Sequence, residues 1–508
     1  MSAATEKLSG LARSAAIIFS GNVLGRVFNL LGQVLIIRSL TPTSFGYVAL
    51  AYTVASAIGA LAIFGVKDGV TRLMSAGAEE EGVEIVRAGV LITVITGAVG
   101  AALMYLARTR IADVMSESAL TPLLVLFAAL VLFKPLAETL FGVLRAFGSS
   151  RAAILTRNIV PRVVGLVVFG IGVLLIDEVS AAVMYWVSIP VIMIVVSSYF
   201  ILKRLGTKNV FSGGVKASRI RDLLVFSGPL AVGSVVFLFL GQLDVLMLGY
   251  FADSKAVGLY RSILPLQQSS TFIMTSFTFL FLPLATEFFE ERQFDDLSEL
   301  YTVSTKWISA LTLPMVLVLG LFPSPVINAF FGSSYLPAAP ALTILILGMY
   351  SRALVGLNGD MVRAINRPEI ELYTAVGGLA VNAVLNVLLI PQYGIVGAAV
   401  ATVSGYTVYN VGEVAAVYYY TKTHPFSWRL FRQLIPTTAV ALACWWFLGP
   451  LALHWLFVLG FFLAVVQIAS TILTRSVDEA DILLVDQFED AVGRDFPKIR
   501  RLITTYGQ

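Results

Sequence analysis

Arg26 stands near the middle of an apolar stretch, Ala15–Ile37, and Arg162, Arg261 and Arg352 interrupt three others. A guanidinium at the centre of a bilayer helix costs about 2.5–3.5 kcal/mol on insertion scales, so each is expected to face a partner or an aqueous cavity. Several such cations in one helix bundle imply a path for something anionic. Asn22, Arg26, Asn29 and Gln33 are spaced four, three and four, which puts them on one helix face. Turned to lipid, that stripe would be costly. Turned inward, it is either a cavity wall that binds a hydroxyl-rich anion or a set of inter-helix hydrogen bonds. Arg261, Gln268 and Thr275 form a second stripe spaced by sevens, with Pro265 between. Asp244 is placed to pair with Arg261, as a gate or as a static ion pair. Lys134 and Glu138, one turn apart, have the spacing of an intrahelical ion pair; the other reading makes Glu138 a proton or sodium site. Arg162 follows Pro161, which is expected to kink its helix.

The elements that position these groups are membrane helices. The 508 residues are 58% hydrophobic and 13% charged, with mean hydropathy +0.87, against about 25% charged in soluble domains. The fold class is all-α and polytopic, with about 14 transmembrane helices at about 20 apolar residues each. The expected order is a cytoplasmic N-terminus (1–14), an N-lobe of six spans (15–202) and a basic connection (203–222). A C-lobe of six spans (223–419), two further spans (434–474) and a cytoplasmic tail (475–508) follow. Placing the N-terminus inside puts roughly 26 of the Lys and Arg in or beside cytoplasmic segments and about four outside. Both termini are therefore expected to be cytoplasmic. The N-terminal segment reads as an uncleaved first span, not a removable signal. In the tail, Lys498, Arg500 and Arg501 suit anionic headgroups.

Composition also excludes chemistry. Cys444 is the one cysteine and His424 and His454 the two histidines, so no disulfide or zinc set is expected. No Gly-rich phosphate loop or nucleophile elbow stands out, so the chain reads as neither an enzyme nor an ATPase, without a cofactor and without a nucleic-acid partner.

The chain repeats itself. Ser20-Gly21 and Gly32-Gln33 find Ser227-Gly228 and Gly241-Gln242, Arg145-Ala146-Phe147-Gly148 finds Arg363-Ala364-Ile365-Asn366, and Val173–Ile176 finds Val387–Ile390. A repeat of six spans keeps both copies in one orientation, related by a pseudo-two-fold axis along the membrane normal, as in parallel-repeat transporters.

The stretch Gly32-Gln33-Val34-Leu35-Ile36-Ile37-Arg38-Ser39-Leu40-Thr41-Pro42, with Phe45-Gly46-Tyr47 and later Phe64-Gly65-Val66, resembles the opening of polysaccharide biosynthesis flippases. So does Gly241-Gln242-Leu243-Asp244-Val245-Leu246-Met247-Leu248-Gly249, with Val257-Gly258-Leu259-Tyr260. The resemblance covers most of the chain. It is to the O-antigen and polysaccharide flippase branch of the multidrug/oligosaccharidyl-lipid/polysaccharide exporter superfamily. It implies a V-shaped, two-lobed transporter that moves an oligosaccharide on a polyprenyl phosphate or pyrophosphate to the outer leaflet by alternating access. Membrane lipids and glycan-assembly enzymes are the implied partners. Arg26 and Arg261 fit a cationic central cavity by position; Arg352, Arg162 and Lys134 fit more loosely. Tyr52 and Tyr350 would suit sugar rings. Coupling to a Na+ or H+ gradient stays open. The rival reading is a multidrug-and-toxin exporter of cations, whose cavity should be rich in carboxylates.

Overall fold

The computed structural model describes residues 3–63, 65–76, 79–207, 214–449 and 451–478, with a few single positions between 481 and 500; side chains before residue 21 are not described. The expected surface-lying tail falls largely outside these residues, as do Lys498 and Arg501, and Arg500 is paired with Glu489 at 2.6 Å.

The described residues are nearly all helical, without strands. In apolar surroundings every backbone group must be bonded within its own segment, and a helix does this. The chain divides into two compact units: residues 16–261, here the N-terminal unit, and residues 262–508 with 1–15, here the C-terminal unit.

The N-terminal unit holds α1 (Ala3–Ser39), α2 (Pro42–Ile63), α3 (Val66–Ala76), α4 (Glu79–Val114) and α5 (Leu120–Ala146). Then come α6 (Ser150–Ile154), a π-turn (Leu155–Ile159), α7 (Val160–Leu175), α8 (Glu178–Leu205) and α9 (Ala217–Phe251). Starts are marked by caps: Ser149 accepts the Ala152 N–H for α6, and Asp177 the Ser180 N–H at 2.8 Å for α8. The compact unit ends at Arg261. α9 packs against α2, α3 and α4. Gly249 meets Leu50, Gly69 meets Ser227, and Lys216 bonds Glu84 at 2.7 Å.

Helix α10 (Ser254–Ser269) begins in this unit and ends in the next. The C-terminal unit continues with α11 (Phe272–Glu290), α12 (Phe294–Leu321), α13 (Pro323–Phe330), a 3-10 turn (Ser333–Ala338), α14 (Ala339–Val355) and α15 (Asn358–Ala364). α16 (Pro368–Thr421), α17 (Trp428–Leu448) and α18 (Leu453–Leu473) complete it. Ten described helices are long and apolar enough to span a membrane, or 11 with one bent pair, against the 14 expected. Two expected spans run together in α16, broken only at Gly394, whose φ of 53° is the left-handed region.

The expected single span Val257–Ala285 is two helices. Pro265 removes one N–H, and at the break Ser269, Ser270 and Thr271 turn their hydroxyls onto the carbonyls of Leu266, Gln267 and Gln268. Arg261 and Thr275 therefore belong to different helices and form no continuous stripe.

In the C-terminal unit, Lys306 of α12 is 1% exposed and lies 2.6 Å from Asp481 and 3.2 Å from Asp478. Arg429 bonds the other oxygen of Asp478. This ionic set ties the chain after α18 to α12 and α17.

Candidate functional site

On α1, Gly21 packs on Ile154, Gly25 on Asn158 and Gly32 on Tyr185. These glycines form a seam without side chains, which lets α1 approach the segment from α6 to α8 closely. Asn22, Arg26, Asn29 and Gln33 sit beside the seam, each about 100° round the helix from the residue before it. Asn22 accepts a hydrogen bond from Asn158 at 2.6 Å, and Arg26 is exposed. Leu24, Val27, Leu31 and Leu35, on a separate stripe, are each about half exposed, as expected of a lipid-facing surface.

Three of the expected cations converge at one place. The Tyr52 hydroxyl on α2 lies in the fields of Lys134 (α5), Arg261 (α10) and Arg162 (α7). The Arg261 guanidinium stands 5.8 Å from the Tyr52 ring centre. Trp186 of α8 lies 4.9 Å from the Tyr52 ring and 6.3 Å from Phe127, and Tyr185 borders Trp186. Two backbone contacts hold this arrangement. A methyl group on Gly46 would collide with the Ser254 carbonyl, and one on Gly258 with the Pro42 carbonyl. That contact presses the start of α10 onto the start of α2 and sets Arg261, one turn on, beside Tyr52. Glu117 accepts the Ser254 N–H at 3.0 Å and fixes the same end.

The expected ion pairs are rearranged. Glu138 faces Lys67 of α3 at 3.8 Å, not Lys134. The cause is Gly142, one turn on, whose missing side chain lets the Lys67 backbone come close while Thr71 bonds the Gly142 carbonyl at 3.0 Å. Lys134 lies along α2 beside Gly59. Asp244, 4% exposed, accepts the Tyr260 hydroxyl at 2.6 Å and the Val245 N–H at 2.8 Å. Arg261, the next residue, points round the helix to Tyr52.

Arg352 belongs to the C-terminal unit. Its guanidinium lies 5.1 Å from the Tyr406 ring centre and in the field of Glu413. Glu413 is fully buried, accepts from Asn358 at 2.8 Å, and has Tyr409 one turn before it. Tyr350 gives its hydroxyl to the Ser309 carbonyl at 3.0 Å, a structural bond. Gln268 and Thr275 are exposed. Sequence reasoning missed Trp186, Tyr185 and Glu413. A carboxylate inside the apolar run Ile395–Tyr419 is the same signal that marked the arginines. Nothing local distinguished the aromatic residues from ordinary core.

The fold matches that of the lipid II flippase MurJ in its inward closed conformation, with a TM-score of 0.73 at 14% identity over 90% of this chain and 98% of that one. Fold and sequence profiles together place the chain in the multidrug/oligosaccharidyl-lipid/polysaccharide exporter superfamily. Within it, the chain belongs to the polysaccharide biosynthesis protein family, whose profile matches residues 11–289, more than half its length. A MatE profile matches residues 229–388. Two archaeal relatives are similar. An uncharacterized membrane protein of Methanocaldococcus jannaschii is 29% identical over 228 residues, 44% of this chain and 45% of that one. The probable low-salt glycan biosynthesis flippase Agl15 of Haloferax volcanii is 28% identical over 199 residues, 38% of this chain and 40% of that one. The match thus spans less than half the length of these curated relatives.

Proposed function

We propose that this protein is a flippase that moves a lipid-linked oligosaccharide, carried on a polyprenyl phosphate or pyrophosphate, from the inner to the outer leaflet by alternating access. One observation carries the reading: Lys134, Arg162 and Arg261 converge on the Tyr52–Trp186 aromatic cluster inside membrane helices. A pyrophosphate bears two or more negative charges and matches the guanidinium fork. Aromatic faces beside it suit sugar rings, and the polyprenyl tail can stay in lipid. Family membership and the resemblance to Agl15 point the same way. The termini lie in the cytoplasm in this reading, and enzymes of glycan assembly are its partners on that side.

The MatE match favours a second reading, export of cationic compounds. In the N-terminal unit, Glu138 lies against Lys67 and Asp244 against Tyr260, which leaves the Tyr52 cluster cationic. That argues for an anionic cargo. Vesicles containing the purified protein separate the two. Acceleration of oligosaccharyl-lipid transfer, without efflux of a cationic dye, is expected. Dye efflux without lipid transfer would reverse the assignment.

A further inference from the structure

A cavity of about 430 Å³ lies in the N-terminal unit where α5 ends and α6 begins. Asn22, Arg145, Ser149, Arg157 and Asn158 line it, over an apolar floor that includes Phe141. It lies where the apolar span Leu120–Ala146 ends and the span Arg151–Leu175 begins. In the orientation of the proposed function this join is on the side of the inner leaflet.

The π-turn builds the cavity. Pro161 has no N–H to give the Arg157 carbonyl four residues back, and its ring crowds that carbonyl. The helix widens instead, and the Val160 N–H bonds the Leu155 carbonyl five residues back. Such single wide turns re-aim side chains and are frequent at functional sites. Here Asn158 is tied to Asn22 of α1. The Arg157 guanidinium rests on the Phe141 ring, 4.9 Å from its centre. A ring face uses none of the guanidinium donors. Among the described residues Arg157 has no carboxylate in ion-pair range, whereas Arg145 lies 3.5 Å from Asp68.

We propose that this cavity binds a phosphate ester, with Arg157 as its chief ligand, Arg145 as the second cation, and Asn22 and Asn158 as polar walls. Two cations of unequal freedom over an apolar floor suit a phosphate with an apolar arm. The site deepens the proposed function and rests on it only for the transport step after binding. Asn22 is the first member of the stripe that ends at Gln33, about 16 Å along α1. There Gly32 meets Tyr185 beside the Tyr52–Trp186 cluster. A phosphate held in the cavity would therefore start at the head of a polar track to the inner cations.

Equilibrium binding tests this without any transport. Full-length protein in phosphatidylcholine discs, with or without phosphatidic acid, is analysed by native mass spectrometry for retained lipid; inorganic pyrophosphate is titrated separately by calorimetry. Retention of phosphatidic acid should fall about tenfold or more in Arg157→Gln. It should rise in Asp68→Asn, which releases Arg145 from its carboxylate. These opposite directions separate a lost ligand from a damaged fold. Pyrophosphate binding with the same mutational pattern, without lipid retention, would identify a free phosphate as the ligand. Equal binding by wild type and Arg157→Gln in both arms, or no effect of Asp68→Asn, would overturn the site. Failure of lipid transfer in vesicles would not bear on these numbers.

Discussion

Tyr52 shows how the charges of the N-terminal unit are used. Its phenol lies in the fields of Lys134, Arg162 and Arg261, while Glu138 lies against Lys67 and Asp244 against Tyr260. Arg261→Gln and Arg162→Gln should each lower oligosaccharyl-lipid transfer by roughly tenfold or more, the loss of one charged hydrogen bond, with unchanged melting temperature. Tyr260→Phe acts differently. It removes a donor from the nearly buried Asp244, and thermal unfolding should show a loss of about 1–3 kcal/mol. Asn358→Leu, which takes the amide from the buried Glu413, should cost a similar amount, about 1–3 kcal/mol. The arginines were legible in the sequence because a cation in an apolar run is conspicuous. Their partners were not. Lys67 reaches Glu138 because Gly142 admits another helix, and that depends on residues 71 positions apart in the Thr71–Gly142 bond, not on helical spacing.

At the scale of elements, apolar length announced the helices, and hydroxyls and prolines decided where they break. Pro161 was expected to kink its helix, and the chain answers with a π-turn that re-aims Arg157 and Asn158. Pro265 likewise precedes the break that divides one expected span into α10 and α11. Such breaks depend on whether nearby side chains can satisfy the released carbonyls, which hydropathy does not encode. Backbone approach was equally hidden. Gly46 and Gly258 stand in the motifs that carry the family resemblance, but nothing in those motifs tells that each faces a carbonyl of the other helix. Gly46→Leu should force α2 and α10 apart, costing about 1–3 kcal/mol in thermal stability and moving Arg261 from Tyr52, so transfer should fall as well. In the C-terminal unit, Lys306→Met strands Asp481 and Asp478 in a buried site. A loss of about 3–5 kcal/mol is expected on unfolding, and adding Asp481→Leu should recover much of it.

For the molecule as a whole, the all-helical class and the superfamily were readable from composition and from motifs such as Gly32–Pro42 and Gly241–Gly249. Internal similarity points to a division in the basic connection 203–222, and the compact N-terminal unit runs on to Arg261, with α9 packed on α2, α3 and α4. The central claim is that cations gathered at Tyr52 carry a phosphate-linked glycan across the membrane. Its most direct test is leaflet transfer of a fluorescent polyprenyl-pyrophosphate oligosaccharide in vesicles, monitored with an impermeant quencher for wild type, Arg26→Ala and Arg162→Gln/Arg261→Gln. Wild-type protein should accelerate transfer over empty vesicles, and both variants should lose most of that acceleration while reconstituting normally. Wild-type rates in the Arg162→Gln/Arg261→Gln protein would contradict the claim.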